Sequence, residues 1–533
     1  MIEGVKEKVA GRFIPRERGL TLGLRYVAMP GPLSGALHKS PCARSLASVI
    51  SRRRPEPLAL GASIAALLTR AAIARADGGH AHGPEASGPV PLAVWLVGIG
   101  LTIVVALVVV RQARHGGEYL RRIQGFSRNA RLLLIRTPFS GLSVSIWRLL
   151  FYLYLLAKGH DTLFVAQLAS INWIAHGLAV IPAGILSDLF GRRRVFLVAY
   201  AGNIVGTAAL IVVGEPTALL ALAAVQGLFE GGHAIVGPPF MVEQSRPDER
   251  VHLFSIGGFL TVGAASLGNL LAGLLPLALG PLLGLGAEQA GTLRASLLIV
   301  LPIMLLSAIP IYLIDERWQA IDIRRWWKSL ESYGTIGMLA LTEGGAGLAL
   351  GMTAPFFNVY FARELGASTA AIGLIFGAGS IVTAFATLLA PLVVRRLGRV
   401  RTVAFLKFLG VPFLVLIGLA PGVVTAGIMY VAAIILIGGA FPSKGLTDPI
   451  YSLFSMEIVK DRERGTTNGV MHAFSEFPMG VGAWIAGPFM AAGNWAMPYY
   501  LAGAVYALTF VAFYLYFARV ESARAVVAQS VSA

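Results

Sequence analysis

Gly184-Ile185-Leu186-Ser187-Asp188-Leu189-Phe190-Gly191-Arg192-Arg193-Arg194 closes one long apolar block and opens the next. Gly184 lets two helix backbones approach closely, and Gly191 permits a tight turn. Asp188 falls at the end of a helix, where a carboxylate needs a cation or a neighbouring helix N-terminus. The three arginines hold the loop at an anionic lipid surface. A loop of this kind belongs between membrane helices, and the rest of the chain agrees. Of its 533 residues, 56% are apolar and only 13% charged, about half the charge a water-solvated domain carries. The mean hydropathy is +0.72. The apolar residues come in blocks near the ~20 residues that an α-helix needs to cross a bilayer.

One leading block runs from about Pro91 to Val110, and twelve more lie between Thr137 and Tyr516. The arginines order them. Arg192 to Arg194, Arg246 and Arg250, Arg317 to Lys328, Arg395 to Arg401, Lys460 to Arg464, and Arg519 and Arg524 fall in alternate loops, whereas the intervening loops offer Lys158, Arg294 and Arg363. The positive-inside rule places the first set and the C-terminus in the cytoplasm. The net charge of +17 is therefore topological, and no nucleic-acid partner is expected. The single cysteine, Cys42, excludes an internal disulfide and a thiolate metal site. His80 and His82 form a His-x-His too small to bind a metal without further ligands. No cofactor or metal is expected. No metalloprotease, nucleophile-elbow or phosphate-loop pattern is present, so an enzyme is not expected either.

The chain repeats itself. Gly191-Arg192 matches Gly398-Arg399 at an offset of 207 residues, as do Gly159 with Gly366 and Arg194 with Arg401. Further on the offset becomes 214, pairing Glu243 with Glu457, Glu249-Arg250 with Glu463-Arg464, and Ala272-Gly273 with Ala486-Gly487. Two six-helix halves of the same orientation follow, with a binding site expected near the midplane between them.

The Gly184–Arg194 stretch resembles the signature loop between the second and third core helices of the major facilitator superfamily. The resemblance runs from about Thr137 to Tyr516 and departs at Leu189, where the family usually has a basic residue. It implies an all-α membrane protein of two six-helix bundles, preceded here by one extra N-terminal transmembrane helix. It also implies a conformational latch of Gly184, Asp188, Gly191, Arg192 and Arg193 with the partial echo Gly398 and Arg399. The expected organisation has a basic segment and possible signal peptide over 1–76, and an outside segment, extra helix and basic linker over 77–136. Bundles over 137–314 and 335–516 flank a central loop over 315–334, and a tail over 517–533 ends the chain. Arg52 to Arg54, the apolar Leu58 to Leu68 and Ala74-Arg75-Ala76 read as a cleaved signal, with an uncleaved helix as the alternative.

Other family signatures are worn. Ala223-Ala224-Val225-Gln226-Gly227 keeps a Gln-Gly ending but has Ala223 where an intramembrane arginine is expected. Gly268-Asn269 stands where the antiporter motif wants Gly-Pro.

Ionisable residues inside a membrane are costly and mark function by default. Arg148 lies mid-span in the first core helix. Glu230 and His233 share one face of the fourth, and Lys444 and Asp448 lie one turn apart in the tenth. Glu230 and Lys444 are equivalent at the offset of 214. The resemblance places helices one, four, seven and ten around the cavity. Glu230 is expected to bind a proton or a cationic group, tuned by His233, with Arg148 and Lys444 meeting an anionic group or holding Glu230 ionised. Glu343 in helix seven is a candidate gate residue, and Glu476, one turn from His472 in helix eleven, a candidate for coupling. Trp173 and His176 read as packing residues. Gly438-Gly439 and Pro442 predict a break before Lys444. The expected activity is secondary active transport of a small organic molecule by a monomer in the plasma membrane, proton-coupled and outward. The alternatives are a metabolite importer and a non-transporting membrane sensor.

Overall fold

A computed structural model describes residues 125–243, 245–246, 250–316, 331–387, 390–437, 445–460 and 463–532. The possible signal, the extra N-terminal helix, His80, His82, Lys444 and the Gly438–Pro442 break lie outside these residues.

The described residues form a bundle of α-helices. Helix α1 spans Arg128–Ala157, α2 Thr162–Phe190, α3 Arg192–Val212, α4 Pro216–Glu243 and α5 Arg250–Leu283. The sixth crossing is α6 (Ala290–Leu298) running into α7 (Val300–Tyr312). The second half opens with α8 (Tyr333–Gly351) and its extension α9 (Phe357–Arg363), then α10 (Thr369–Thr387) with α11 (Ala390–Leu397), and α12 (Arg399–Ile417). It closes with α13 (Val423–Ile437), α14 (Asp448–Glu457), α15 (Arg464–Ala491) and α16 (Ala496–Ser532). Among the described residues, 10 helical segments are long and apolar enough to cross a membrane, and α13 is a shorter apolar helix. Helices answer the physics of the bilayer, because a lipid-exposed backbone must satisfy its own hydrogen bonds. Where the chain leaves a helix, side chains take over. The Ser127 hydroxyl accepts from the Ala130 N–H at 3.3 Å, and the Asp161 carboxylate from Phe164 N–H at 2.7 Å. Arg128, Arg131 and Arg136, read from the sequence as linker, belong to α1, which begins nine residues before the expected Thr137.

The repeat reappears in three dimensions. The glycines with left-handed backbones among the described residues are Gly159, Gly191 and Gly284, then Gly366, Gly398 and Gly493, so each in the first half has its counterpart in the second. Only glycine takes such φ values without a steric penalty. The Tyr154 hydroxyl donates to the Ile211 carbonyl at 3.0 Å, and the Tyr360 hydroxyl donates to Ile417 at 2.7 Å. Both partners have moved by 206 residues. The loop arginines repeat as well. Arg192 Nε donates to Glu243 Oε1 at 2.7 Å, and Arg399 pairs with Glu457. The sequence offsets thus mark equivalent ion pairs at the loop-bearing end of each half.

The halves meet on the side away from these arginines. The Asn358 amide donates to the carbonyls of Arg148 and Leu149 at 3.2 and 2.7 Å. Thr369 N–H donates to Glu288 Oε1 at 2.9 Å, and the Ser266 hydroxyl to Gly377 O at 2.9 Å. Helices α2 and α15 touch so closely that a Cβ on Gly177 would fall on the Phe477 backbone and one on Gly480 would lie 2.6 Å from Ile174 N. Helices α5 and α10 do the same at Gly273 and Gly373. Towards the arginine side both pairs part. A Cβ on Gly184, Gly258 or Gly263 would meet nothing within 4 Å. The structure is closed at the far side and splayed at the arginine side.

Candidate functional site

Below the closure, the first half presents a charged centre. Arg148 of α1 donates from Nη2 to Glu230 Oε1 of α4 at 3.1 Å, with side-chain exposures of 21% and 15%. The second Glu230 oxygen accepts from Gln226 Nε2 at 3.2 Å. That amide also donates to Asn203 Oδ1 at 2.7 Å, while Asn172 of α2 donates to Gln226 Oε1 and to Ala223 O at 3.1 Å. Glu230 is therefore fixed as an acceptor at both oxygens. Arg148 lies over the Trp173 ring at 5.0 Å, and His176 stacks on the same ring at 5.4 Å. Both residues read as packing in the sequence are neighbours of the ion pair. Across the interface Glu476 of α15 lies within electrostatic reach of Arg148, Glu230 and Glu343. Among the described residues its buried Oε2 meets no hydrogen-bond partner, and neither does His176 Nδ1.

His233 lies one turn from Glu230. Its Nδ1 faces the Phe229 carbonyl of its own helix at 3.4 Å, and its ring meets Phe196 and Tyr200 edge-on. The same two rings carry the Arg136 guanidinium, at 4.7 and 5.5 Å.

The second half holds its own centre. Asp448 is here, and Lys407 of α12 meets it. The ammonium donates to Asp448 Oδ1 at 3.3 Å and to the Tyr506 hydroxyl at 3.4 Å. Tyr506 donates onward to Ile437 O at 3.2 Å, and Gly445 N–H donates to Asp448 Oδ2 at 3.0 Å. Glu343 of α8 lies within electrostatic reach of Lys407 and Asp448, beside Ser475 and Tyr451. Sequence reasoning confined to helices one, four, seven, ten and eleven passed over Lys407. A lone lysine eight residues into the Arg399–Ile417 helix is itself the signal.

The Asp188 loop is built from one half. Arg192 Nη2 lies 3.0 Å from Asp188 Oδ1 as well as bonding Glu243. The Glu316 carboxylate accepts from the N–H groups of Arg192 and Arg193 at 2.8 and 3.1 Å, sitting at the N-terminus of α3 where a negative charge is favoured. Among the described residues no group of three or more His, Cys, Asp or Glu could hold a metal ion.

Chemically, this arrangement offers an ion pair in each half, Arg148–Glu230 and Lys407–Asp448.

The comparisons agree with this architecture. The family model described as Major Facilitator Superfamily matches residues 133–322 and 339–532. The chain is 40% identical over 70 residues to the tetracenomycin C resistance and export protein of Streptomyces glaucescens, a match over 12% of this chain and 13% of that one. Similar solved structures are a bacterial homologue of the human lysosomal transporter Spinster, inward-facing and occupied (16% identity, TM-score 0.55, 73% of this chain and 96% of that one), and a D-xylose-proton symporter (15%, 0.54, 72% and 95%). The nucleoside transporter NupG is similar too (13%, 0.54, 73% and 99%). At these identities the likeness is one of fold.

Proposed function

The chain belongs to the major facilitator superfamily, a multi-pass membrane transporter family, and on that premise we propose that it is a proton-coupled exporter of small amphipathic organic molecules. The observation that carries the reading is the Arg148–Glu230 pair, half-buried in the first half and within electrostatic reach of Glu476 of the second. A buried ion pair is stable only while both partners are present, so protonating Glu230 or binding a ligand there must rearrange Arg148. Alternating access follows if that rearrangement biases how the halves close.

Orientation comes from the arginine loops, which the positive-inside rule assigns to the cytoplasm together with the C-terminus, in the plasma membrane. The splayed arginine side is then the inner side, and the structure an inward-facing state. Closing that side brings the Asp188–Arg192–Glu243 cluster against the second half, where it acts as the latch of the outward-facing state. One chain supplies both halves of the site, which supports a functional monomer. Export rather than uptake is favoured by the aromatic wall of Trp173 and His176 beside the ion pair, and by the short likeness to an export protein.

The test is flux in proteoliposomes. Wild-type protein should move at least one member of a panel of amphipathic aromatic compounds against its gradient when an opposing pH gradient is imposed, and Glu230→Gln should abolish that coupling while remaining folded. Normal pH-driven flux in Glu230→Gln overturns the assignment of the coupling site. Gradient-insensitive flux in the wild type overturns proton coupling.

A further inference from the structure

We infer that the far side is gated by two reciprocal helix caps, with Glu288 of the first half on the N-terminus of α10 and Arg363 of the second half on the C-terminus of α1.

Both caps cross between the halves. Glu288 lies in the loop between α5 and α6. One of its carboxylate oxygens accepts from the Thr369 N–H at 2.9 Å and the other from the Thr369 hydroxyl. Thr369 is the first residue of α10, where N–H groups lack a partner within the helix and the dipole favours an anion. Ser368, on the helix's own side, accepts from the Ala371 N–H at 3.3 Å, so the two halves share the capping of this end. Arg363 closes α9 and does the converse. Its Nη2 donates to the Leu156 carbonyl at 3.3 Å, in the last turn of α1, where the dipole favours a cation. Lys158, at the C-terminus of α1 itself, donates instead to the Val213 carbonyl at the end of α3, at 3.0 Å.

The loop that carries Glu288 is folded for this contact. Gly284 turns the chain with φ of 64°, and the Leu285 N–H donates back to Gly280 O at 2.9 Å. The Gly286 carbonyl accepts from the Gln289 N–H at 3.2 Å and from the Thr292 hydroxyl at 2.9 Å. Helix α5 presses on the same end of α10, since a Cβ on Gly273 would lie 3.1 Å from Ala370 Cα.

Asn358 and Ser266 also bond across the closure, but their side chains are neutral and buried. Glu288 and Arg363 are charged and exposed, so water takes over each bond as the halves part. An exposed charge at a helix end changes an equilibrium by only about two- to fivefold, which suits a contact that must break in every cycle. Each charge is matched to a helix end and not to the other charge, and this gives the gate its signature. The inference rests on the proposed alternation of the halves, which is what makes a closed side a gate.

The experiment uses the full-length protein in lipid nanodiscs, with neither a transported compound nor a pH gradient, in a Cys42→Ser, Ala166→Cys background. Ala166 of α2 is 1% exposed and packs against Gly487 of α15 in the second half. A water-soluble maleimide reaches a cysteine there when the far side opens, so its labelling rate follows the open fraction. Glu288→Gln and Arg363→Gln should each raise that rate about two- to fivefold. Glu288→Lys combined with Arg363→Glu should raise it further, because each helix end then meets a like charge. Glu215→Ala, which removes a cap made within the first half, should leave it unchanged. Unchanged rates in both glutamine variants overturn the proposal and leave alternation standing. A return to the wild-type rate in the double reversal also overturns it, because the two side chains would then be paired with each other. An equal rise in Glu215→Ala overturns it in favour of simple helix fraying. No labelling in any of these folded proteins overturns alternation, and the gate with it.

Discussion

Glu230 and Asp448 each have both carboxylate oxygens engaged, one by a cation and the other by an N–H donor. Breaking a buried pair by removing one partner costs about 3–5 kcal/mol, because the survivor is left charged and uncompensated. Arg148→Met and Glu230→Gln should therefore each lower thermal stability, and the double variant should lose less than the two single losses added together. Unfolding temperatures of the purified variants check this, and additive losses would show that the pair is not the unit. Outside the membrane, Glu215 gives a pH prediction with a definite sign. Its carboxylate accepts from the Thr217 hydroxyl at 2.6 Å and from the N–H groups of Ala218 and Thr217, and these bonds hold it below the usual glutamate range. A depressed carboxylate stabilises the fold above its unfolded value and loses that contribution as the pH falls. Glu215→Gln should thus narrow the stability difference between neutral and acid pH. At this scale Arg148 and Glu230 were legible in the sequence as charges in apolar blocks. The Lys407–Asp448 pair was not, because it joins helices that are 41 residues apart in sequence, and no local spacing encodes that contact.

Between helices, small residues decide where the halves touch. A Cβ on Gly177 would fall on the Phe477 backbone, whereas one on Gly184, two turns along the same helix, would meet nothing within 4 Å. Backbone cannot yield as a flexible side chain can. Gly177→Ala should push α2 and α15 apart at the far closure and raise the accessibility of residues there to thiol reagents, while Gly184→Ala should leave accessibility unchanged. Cys42 is the chain's one cysteine, so its replacement gives a clean background. Equal effects at the two glycines would contradict the closure described. The turn glycines make a different demand. Gly191 and Gly398 have φ of 95° and 79°, and alanine there should cost roughly 1–2 kcal/mol, read as a lower unfolding temperature. The sequence marked Gly184 and Gly191 equally, since composition does not say which glycine faces a neighbour and which only turns the chain.

Over the whole molecule, the repeat was the most legible feature and the gate the least. Offsets of 207 and 214 residues paired Arg192 with Arg399 and Glu243 with Glu457, and the structure joins each arginine to its glutamate. A repeat says that two halves exist. It does not say on which side they are closed, because that depends on the relative energies of arrangements of the same chain. The central claim is that these halves alternate about the Arg148–Glu230 site. It is tested by spin labels in liposomes at two pairs of positions in a cysteine-free background. Leu186 and Gly469 report the arginine side, and Lys158 and Ala492 the far side. With a transported compound and a pH gradient present, the first distance should shorten and the second lengthen in the same population, and Glu230→Gln should suppress both changes. Distances that do not respond, or that shorten together on the two sides, would contradict the account.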